Sequence, residues 1–183
     1  MTPVTLWRLS TALRSRGHDR AAQWVKKLNS ALYHNSLAPG ASVSPDLKFG
    51  HHGFGTMIHS NVVIGERVKI WHNVTIAVRA SAKSPHRIII EDDVRIGANS
   101  VIISPYEASL RIGRGARIGA GAVVSRDVPE GATVISAPPR VLLKDGSEES
   151  RDTNGADDAS AEMESADDAS GSDSGAAAQS SAS

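Results

Sequence analysis

The sequence predicts an all-β core, a left-handed parallel β-helix of six-residue repeats, preceded by a short helical segment. Two spacings carry that prediction. Ile58, Ile64, Ile70 and Ile76 recur at intervals of six, and so do Ile90, Ile96 and Ile102, then Ile112, Ile118 and Val124. Most of these follow a small or β-branched residue by two positions (Val62, Val68, Val74, Val94, Ser100, Ala116, Ala122). Gly65, Gly97, Gly113 and Gly119 come directly after the aliphatic position, where the chain must turn tightly. Neither a helical period nor strand alternation generates a period of six; a hexapeptide solenoid does. Each unit supplies one short strand and one turn, three units close a coil, and stacked coils align the inward residues into columns.

The elements follow in order. Residues 4–34 read as helix, because Leu6, Leu9 and Leu13, then Trp24, Leu28 and Leu32, recur at helical spacing. Gly17 divides them into two short helices. Such basic amphipathic helices can lie on membranes; the expectation here is that they pack on the body or on a neighbouring subunit. The segments are 1–39 helical, 40–143 β-helix and 144–183 tail. Two breaks interrupt the period, Ala77–Arg87 and Ser104–Ser109, and insertions in solenoids leave as outer loops that often carry function.

Charge is divided along the chain. Residues 1–144 hold 19 Lys and Arg against 9 Asp and Glu, and residues 145–183 hold 1 against 11, so +10 and −10 cancel to the net of +0. The tail's Ser, Ala, Asp, Glu and Gly composition predicts disorder. Two Phe and two Tyr are few for nucleic-acid stacking, and no nucleic-acid-binding motif occurs. A basic body suits a phosphorylated or nucleotide-bearing small ligand better. The absence of Cys rules out disulfides, thiolate metal sites and a Cys nucleophile. No apolar run approaches the ~20 residues of a membrane span, so the expected location is cytoplasmic.

On these residues the chain resembles the hexapeptide-repeat acyltransferases. The run 116–134 (ARIGAGAVVSRDVPEGATV) looks like their closing coils, and Phe49 to Gly119 resembles serine acetyltransferases and the related exopolysaccharide acetyltransferases. The resemblance covers about residues 40–143. It implies an acetyl-CoA-dependent O-acetyltransferase with no metal. It also implies a homotrimer whose acceptor is L-serine or a sugar hydroxyl.

Site residues carry over by position. The string from His51 to His59 (HHGFGTMIH) aligns without gaps to the serine acetyltransferase segment that holds the general base, and His52 takes that place. His86, in Ser84-Pro85-His86-Arg87-Ile88, matches the family's second His. His59 matches the His ending the corresponding string of the polysaccharide branch. Three features depart from the pattern. His51 stands where the family has Asp, Ala77 to Lys83 replaces a Gly-rich segment, and the helical region is short. Lys83, Arg114, Arg117 and Arg126 are the candidates for the CoA phosphates. Asp46 and Glu66 are candidates for orienting a catalytic His from another coil.

Histidine suits the chemistry, because an alcohol attacks a thioester only as its proton is removed, and imidazole titrates near neutrality. Direct attack is expected, since there is neither Cys nor a nucleophile-elbow Ser. Two other classes compete. A zinc hydrase of the gamma carbonic anhydrase type would draw ligands from His51, His52, His59 and His86. A scaffold subunit would have no reason to gather histidines at one break in the repeat.

Overall fold

The computed structural model describes residues 2–81 and 83–137; the expected disordered tail lies outside these residues. Helix α1 spans Pro3–Ser15, opened by Thr2, whose Oγ1 accepts from the Thr5 N–H at 3.2 Å, with Pro at the first helical position. The turn through Gly17 (φ +79) ends it, and α2 spans Asp19–Tyr33. Two helices divided at Gly17 are what the sequence predicts.

The β-region is a parallel solenoid, matching the predicted β-helix. Its strands are β1 Ser36–Leu37, β2 Ser42–Val43 and β3 Lys48–Phe49 in the first coil. The second coil has β4 Met57–Ile58, β5 Val62–Ile64 and β6 Lys69–Ile70. The third has β7 Thr75–Ala77, β8 Ile88–Ile90 and β9 Arg95–Ile96. The fourth has β10 Val101–Ile103, β11 Leu110–Ile112 and β12 Arg117–Ile118. β13 Val123–Val124 and β14 Thr133–Val134 belong to the last turn.

Every third strand pairs in parallel up to β12, which pairs with β14, giving three sheets: A (β1-β4-β7-β10-β13), B (β2-β5-β8-β11) and C (β3-β6-β9-β12-β14). The six-residue period becomes three stacked columns. Leu37, Ile58, Ile76, Ile102 and Val124 align in sheet A. Val43, Ile64, Ile90 and Ile112 align in sheet B, extended by a bridge to Val128. Phe49, Ile70, Ile96, Ile118 and Val134 align in sheet C. From Ile70 to Ile118 the columns are essentially sealed from solvent, so burial is shared between coils and no coil is stable alone.

The solenoid opens at Ser36, ahead of the expected boundary at residue 40. Its first coil uses Leu37, Val43 and Phe49 instead of Ile, and a further break separates Phe49 from Ile58. The four glycines that follow the aliphatic positions also have a different reason from the one expected. None of them has a positive φ. A Cβ on Gly97 would lie 2.6 Å from the Ala120 nitrogen, and one on Gly113 would lie 2.5 Å from the Glu130 nitrogen, so the next coil's backbone excludes a side chain there. The left-handed turn falls two residues later, at Arg67, Asn99, Gly115 and Gly121.

Trp7 of α1 joins the solenoid core; its Nε1–H donates to the Ala38 carbonyl at 2.8 Å and its ring stacks on Phe49. Helix α2 behaves otherwise. It buries Ala22 and Asn29, and the Asn29 amide donates to the Pro3 carbonyl at 3.0 Å. Its apolar stripe, expected to pack on the body or on a neighbouring subunit, does not pack on the body: Trp24, Leu28 and Leu32 are 72%, 50% and 58% exposed in the single chain. A small residue and an amide are what let α2 lie close against α1, so the larger side chains face away.

The corner between sheets B and C is laced by ions. Arg67 grips Asp93 with two bonds (2.7 and 2.9 Å) and Glu66 with one (2.9 Å), Asp46 accepts from the Arg67 N–H, and Arg111 reaches Glu91 at 2.6 Å. The Ser44 hydroxyl holds the Asp46 carboxyl below its usual range, and Arg67 and Arg111 do the same for Asp93 and Glu91. Groups depressed in the folded state stabilise it above their unfolded pKa of about 4, and that contribution is lost as pH falls through the lower folded values. The melting temperature should therefore hold from neutral pH to about pH 5 and fall below about pH 4. Arg67→Ala should shrink that fall, as read by thermal denaturation across the range. Asp46 and Glu66, the candidates for orienting a histidine, are both engaged with Arg67 at this corner.

Candidate active site

The predicted histidines occupy two different corners of the prism, on opposite edges of sheet A. The first corner is the break between β3 and β4. A short helical turn, Gly50–Gly53, carries His51 (φ 48) and His52 (φ 57), consecutive side chains in left-handed backbone. Such strain is rare outside Gly, Asn and Asp and is held here by its surroundings. The Gly55 N–H donates to the carbonyl of His34, the left-handed cap of α2, and the Asn73 N–H donates to the Phe54 carbonyl at 2.7 Å. A Cβ on Gly53 would lie 2.9 Å from the Phe49 ring, which fixes Gly at that point.

The His52 ring lies nearly parallel to Tyr33 at 5.9 Å, and the Phe54 ring sits 5.2 Å from His34. His51 meets His72 edge to face at 5.0 Å, and His72 buries an Nδ1 with no hydrogen-bond partner among the described residues. His52 itself is exposed and borders a cleft of about 410 Å³ shared with Arg8, Lys48 and the first turn of α1. That volume suits a small molecule, and the two cations favour an anionic group within it.

The second corner gathers His59 and His86 around Asn61. The Asn61 side chain is buried, and its amide donates to the carbonyls of Ser81, Ser84 and His86 at 3.3, 3.2 and 3.2 Å. Its backbone N–H donates to His59 Nδ1 at 3.1 Å. With that lone pair occupied, neutral His59 carries its proton on Nε2, which makes it a donor to a ligand and not a base.

The two loops foreseen as insertions stack on this corner. The Arg79 N–H donates to Ser104 Oγ, the Glu107 N–H to the Arg79 carbonyl, and the Arg87 N–H to Ser109 Oγ. Their contact brings Glu107 Oε2 to 3.7 Å from His86 Nε2. Glu107 escaped the sequence reading because it lies 21 positions from His86, and only the stacking of coils joins them. Asn61 escaped too, since one Asn in a repeat carries no spacing signal.

The four cations proposed for CoA do not converge within the chain. Lys83 and Arg126 are exposed at the His86 corner, in the loop before β8 and the turn after β13. Arg114 stands at the ion-laced corner, 3.8 Å from Asp92. Arg117 lies on sheet C in register with Arg95, which pairs in turn with Lys69 and Lys48 along one outward column. Among the described residues no group of three or more His, Cys, Asp and Glu is placed to hold a metal ion. The four histidines considered as zinc ligands are themselves divided between the two corners.

Comparison with known proteins accords with this architecture. Residues 87–126 match the family described as hexapeptide repeat of succinyl-transferase. The chain is 33% identical over 147 residues to a serine acetyltransferase of Bacillus licheniformis, covering 80% of this chain and 66% of that protein. It is 32% identical over 151 residues to that of Bacillus pumilus, covering 73% and 68%. Among solved structures, the Neisseria gonorrhoeae serine acetyltransferase in complex with serine superposes with a TM-score of 0.64 at 30% identity, covering 74% of this chain and 54% of that one. The Brucella abortus enzyme in complex with coenzyme A gives 0.65 at 26%, covering 74% and 52%. The chain thus spans about two thirds of the length of these curated relatives and about half that of the solved chains. With the six-residue columns, these likenesses show that the chain belongs to the hexapeptide-repeat acyltransferases, alongside the serine acetyltransferases.

Proposed function

We propose that the protein is an acetyl-CoA-dependent O-acetyltransferase in which His52 is the general base. The observation that carries this reading is His52 itself. It is an exposed imidazole at the family's base position, held in left-handed backbone beside a cleft that also presents Arg8 and Lys48. Acetyl-CoA supplies the activated thioester. His52 removes the acceptor hydroxyl's proton as the oxygen attacks and returns it to the departing thiol, giving the O-acetyl ester and free CoA. Lys83 and Arg126, with Arg79 and Arg87 on the same loops, are suited to CoA phosphates. The engagement of Arg114 with Asp92 makes it the weaker candidate.

His86 and His59 belong to the same reaction only if a second copy delivers them. One face of the prism spans on the order of 15–20 Å, too far for both corners to touch one substrate. Sheet A separates the corners, and its outward column of Ser36, Met57, Thr75, Val101 and Val123 is uncharged, with Met57 and Val123 exposed. A homotrimer packed through this face would set the His52 corner of one copy beside the His86 corner of the next. There His86, backed by Glu107, would steady the acceptor, and His59 would donate from Nε2 to the developing oxyanion.

L-Serine is the first-choice acceptor, because the cations beside His52 suit its carboxylate and because relatives bear its name. A sugar hydroxyl is the second, favoured by His59, the histidine shared with the polysaccharide branch. The test is thiol release from acetyl-CoA by the purified protein with L-serine, with a panel of sugars, and with no acceptor. Serine-dependent release is expected. Release with a sugar alone would transfer the assignment to the second acceptor, and silence with every acceptor would overturn the acetyltransferase reading.

A further inference from the structure

Helix α2 turns its apolar side away from the protein. Trp24, Leu28 and Leu32 follow one another at four-residue spacing and are each at least half exposed, while the face toward α1 is made by Ala22 and Asn29.

The charge around this strip says what covers it. Between positions 2 and 35 there are six basic residues (Arg8, Arg14, Arg16, Arg20, Lys26, Lys27) and one acidic residue, Asp19, which Arg14 approaches at 3.8 Å. Arg20 lies one turn before Trp24. Lys27 lies one turn after it, with its ammonium 5.5 Å from the Trp24 ring, so exposed cations flank the stripe along its length.

We propose that α2 is a docking surface for an anionic lipid bilayer. The helix would lie in the plane of the interface, with Trp24, Leu28 and Leu32 entering the acyl boundary and Arg20 and Lys27 at headgroup level. Tryptophan flanked by cations on a helix of low overall hydrophobicity is the pattern that binds a membrane surface without spanning it. No helix of the described residues is long and apolar enough to cross a membrane. A second copy paired with this face through the same face is the poorer occupant on two counts. The stripe exposes on the order of a few hundred Å², below the ~800 Å² per partner of a stable interface. Pairing this face with itself would also bring Arg20 and Lys27 of one copy against the same cations of the other.

The test is flotation of the full chain with phosphatidylcholine vesicles, with and without about 30% phosphatidylglycerol, at low and high salt. The protein should float with the anionic vesicles at low salt, remain behind with the neutral ones, and be released by salt. Trp24→Ala combined with Leu28→Ser and Leu32→Ser should weaken binding roughly tenfold or more, with an unchanged circular dichroism spectrum because all three are exposed. Arg20→Glu with Lys27→Glu should do the same. Failure to float with anionic vesicles, or equal flotation of the triple variant, would overturn the proposal. So would a smaller sedimenting mass for the triple variant without vesicles, which would make the face a seam between copies. None of these readouts uses acetyl transfer, so this inference and the enzymatic one fail separately.

Discussion

His52→Ala should lower kcat for acetyl transfer by about 10²–10⁴ while leaving the fold intact, the range expected when a positioned base is removed. The second half of that expectation rests on exposure. His52 contributes nothing to the Ile columns, and its ring contact is one face of Tyr33. The substitution leaves the left-handed backbone as strained as before, since alanine is no better suited to it. His51→Ala is the informative control. His51 shares the turn and the strain but points its ring at His72, so a loss of less than about tenfold there separates base chemistry from disturbance of the turn. Equal losses in the two variants, with thermal stability reduced in both, would mean that the turn is needed as a structure and that His52 is not the base. The measurement is the steady-state rate of thiol release with the best acceptor.

The reason the Ile columns could be read from the sequence, and the surroundings of His52 could not, lies in how a solenoid stores information. Ile58, Ile64 and Ile70 stand six apart because each must return to the axis after one face, so periodicity and burial express the same fact. Leu37, Val43 and Phe49 obey the same geometry, but three residue types over one coil give no visible column, and the break at Gly50–Gly53 shifts the phase before the Ile series begins. The two outer loops were legible as interruptions. Their mutual contact was not, because Arg79 with Ser104 and His86 with Glu107 are joined only by coil stacking.

Two sequence-distant histidines can share a corner or stand a face apart, and linear spacing does not distinguish these when loops of variable length intervene. His59 and His86 share a corner; His52, seven positions before His59, does not. Helical spacing has a similar blind spot. It identified the Trp24, Leu28 and Leu32 stripe correctly, but a period defines a face and not what the face meets.

Asn61→Asp should cut acetyl transfer by roughly 10–100-fold through the loop it holds, without touching His52. Asn61 touches both histidines of its corner, His86 through its side-chain amide and His59 through its backbone N–H. Its two amide hydrogens are shared among the carbonyls of Ser81, Ser84 and His86, and its N–H fixes the tautomer of His59. Aspartate has the same shape and leaves the backbone bond to His59 in place, but it turns the donor into an acceptor and sets a carboxylate against three carbonyls. The loop 81–86 should then lose its anchor, since three part-buried carbonyls lose their donor, at a cost on the order of 1 kcal/mol each. Amide hydrogen exchange supplies the readout that activity alone does not. Protection should fall in the segment 81–86 and persist in β5 and β8 on either side, whose ladders do not depend on the side chain. If exchange rises across all three sheets, Asn61 is an ordinary buried polar residue on which the whole coil depends. If exchange is local and the rate is unchanged, His86 plays no part in the reaction, and the two-corner arrangement of the site is wrong. Local release with a reduced rate is the result that ties the insertion loop, through one buried amide, to catalysis.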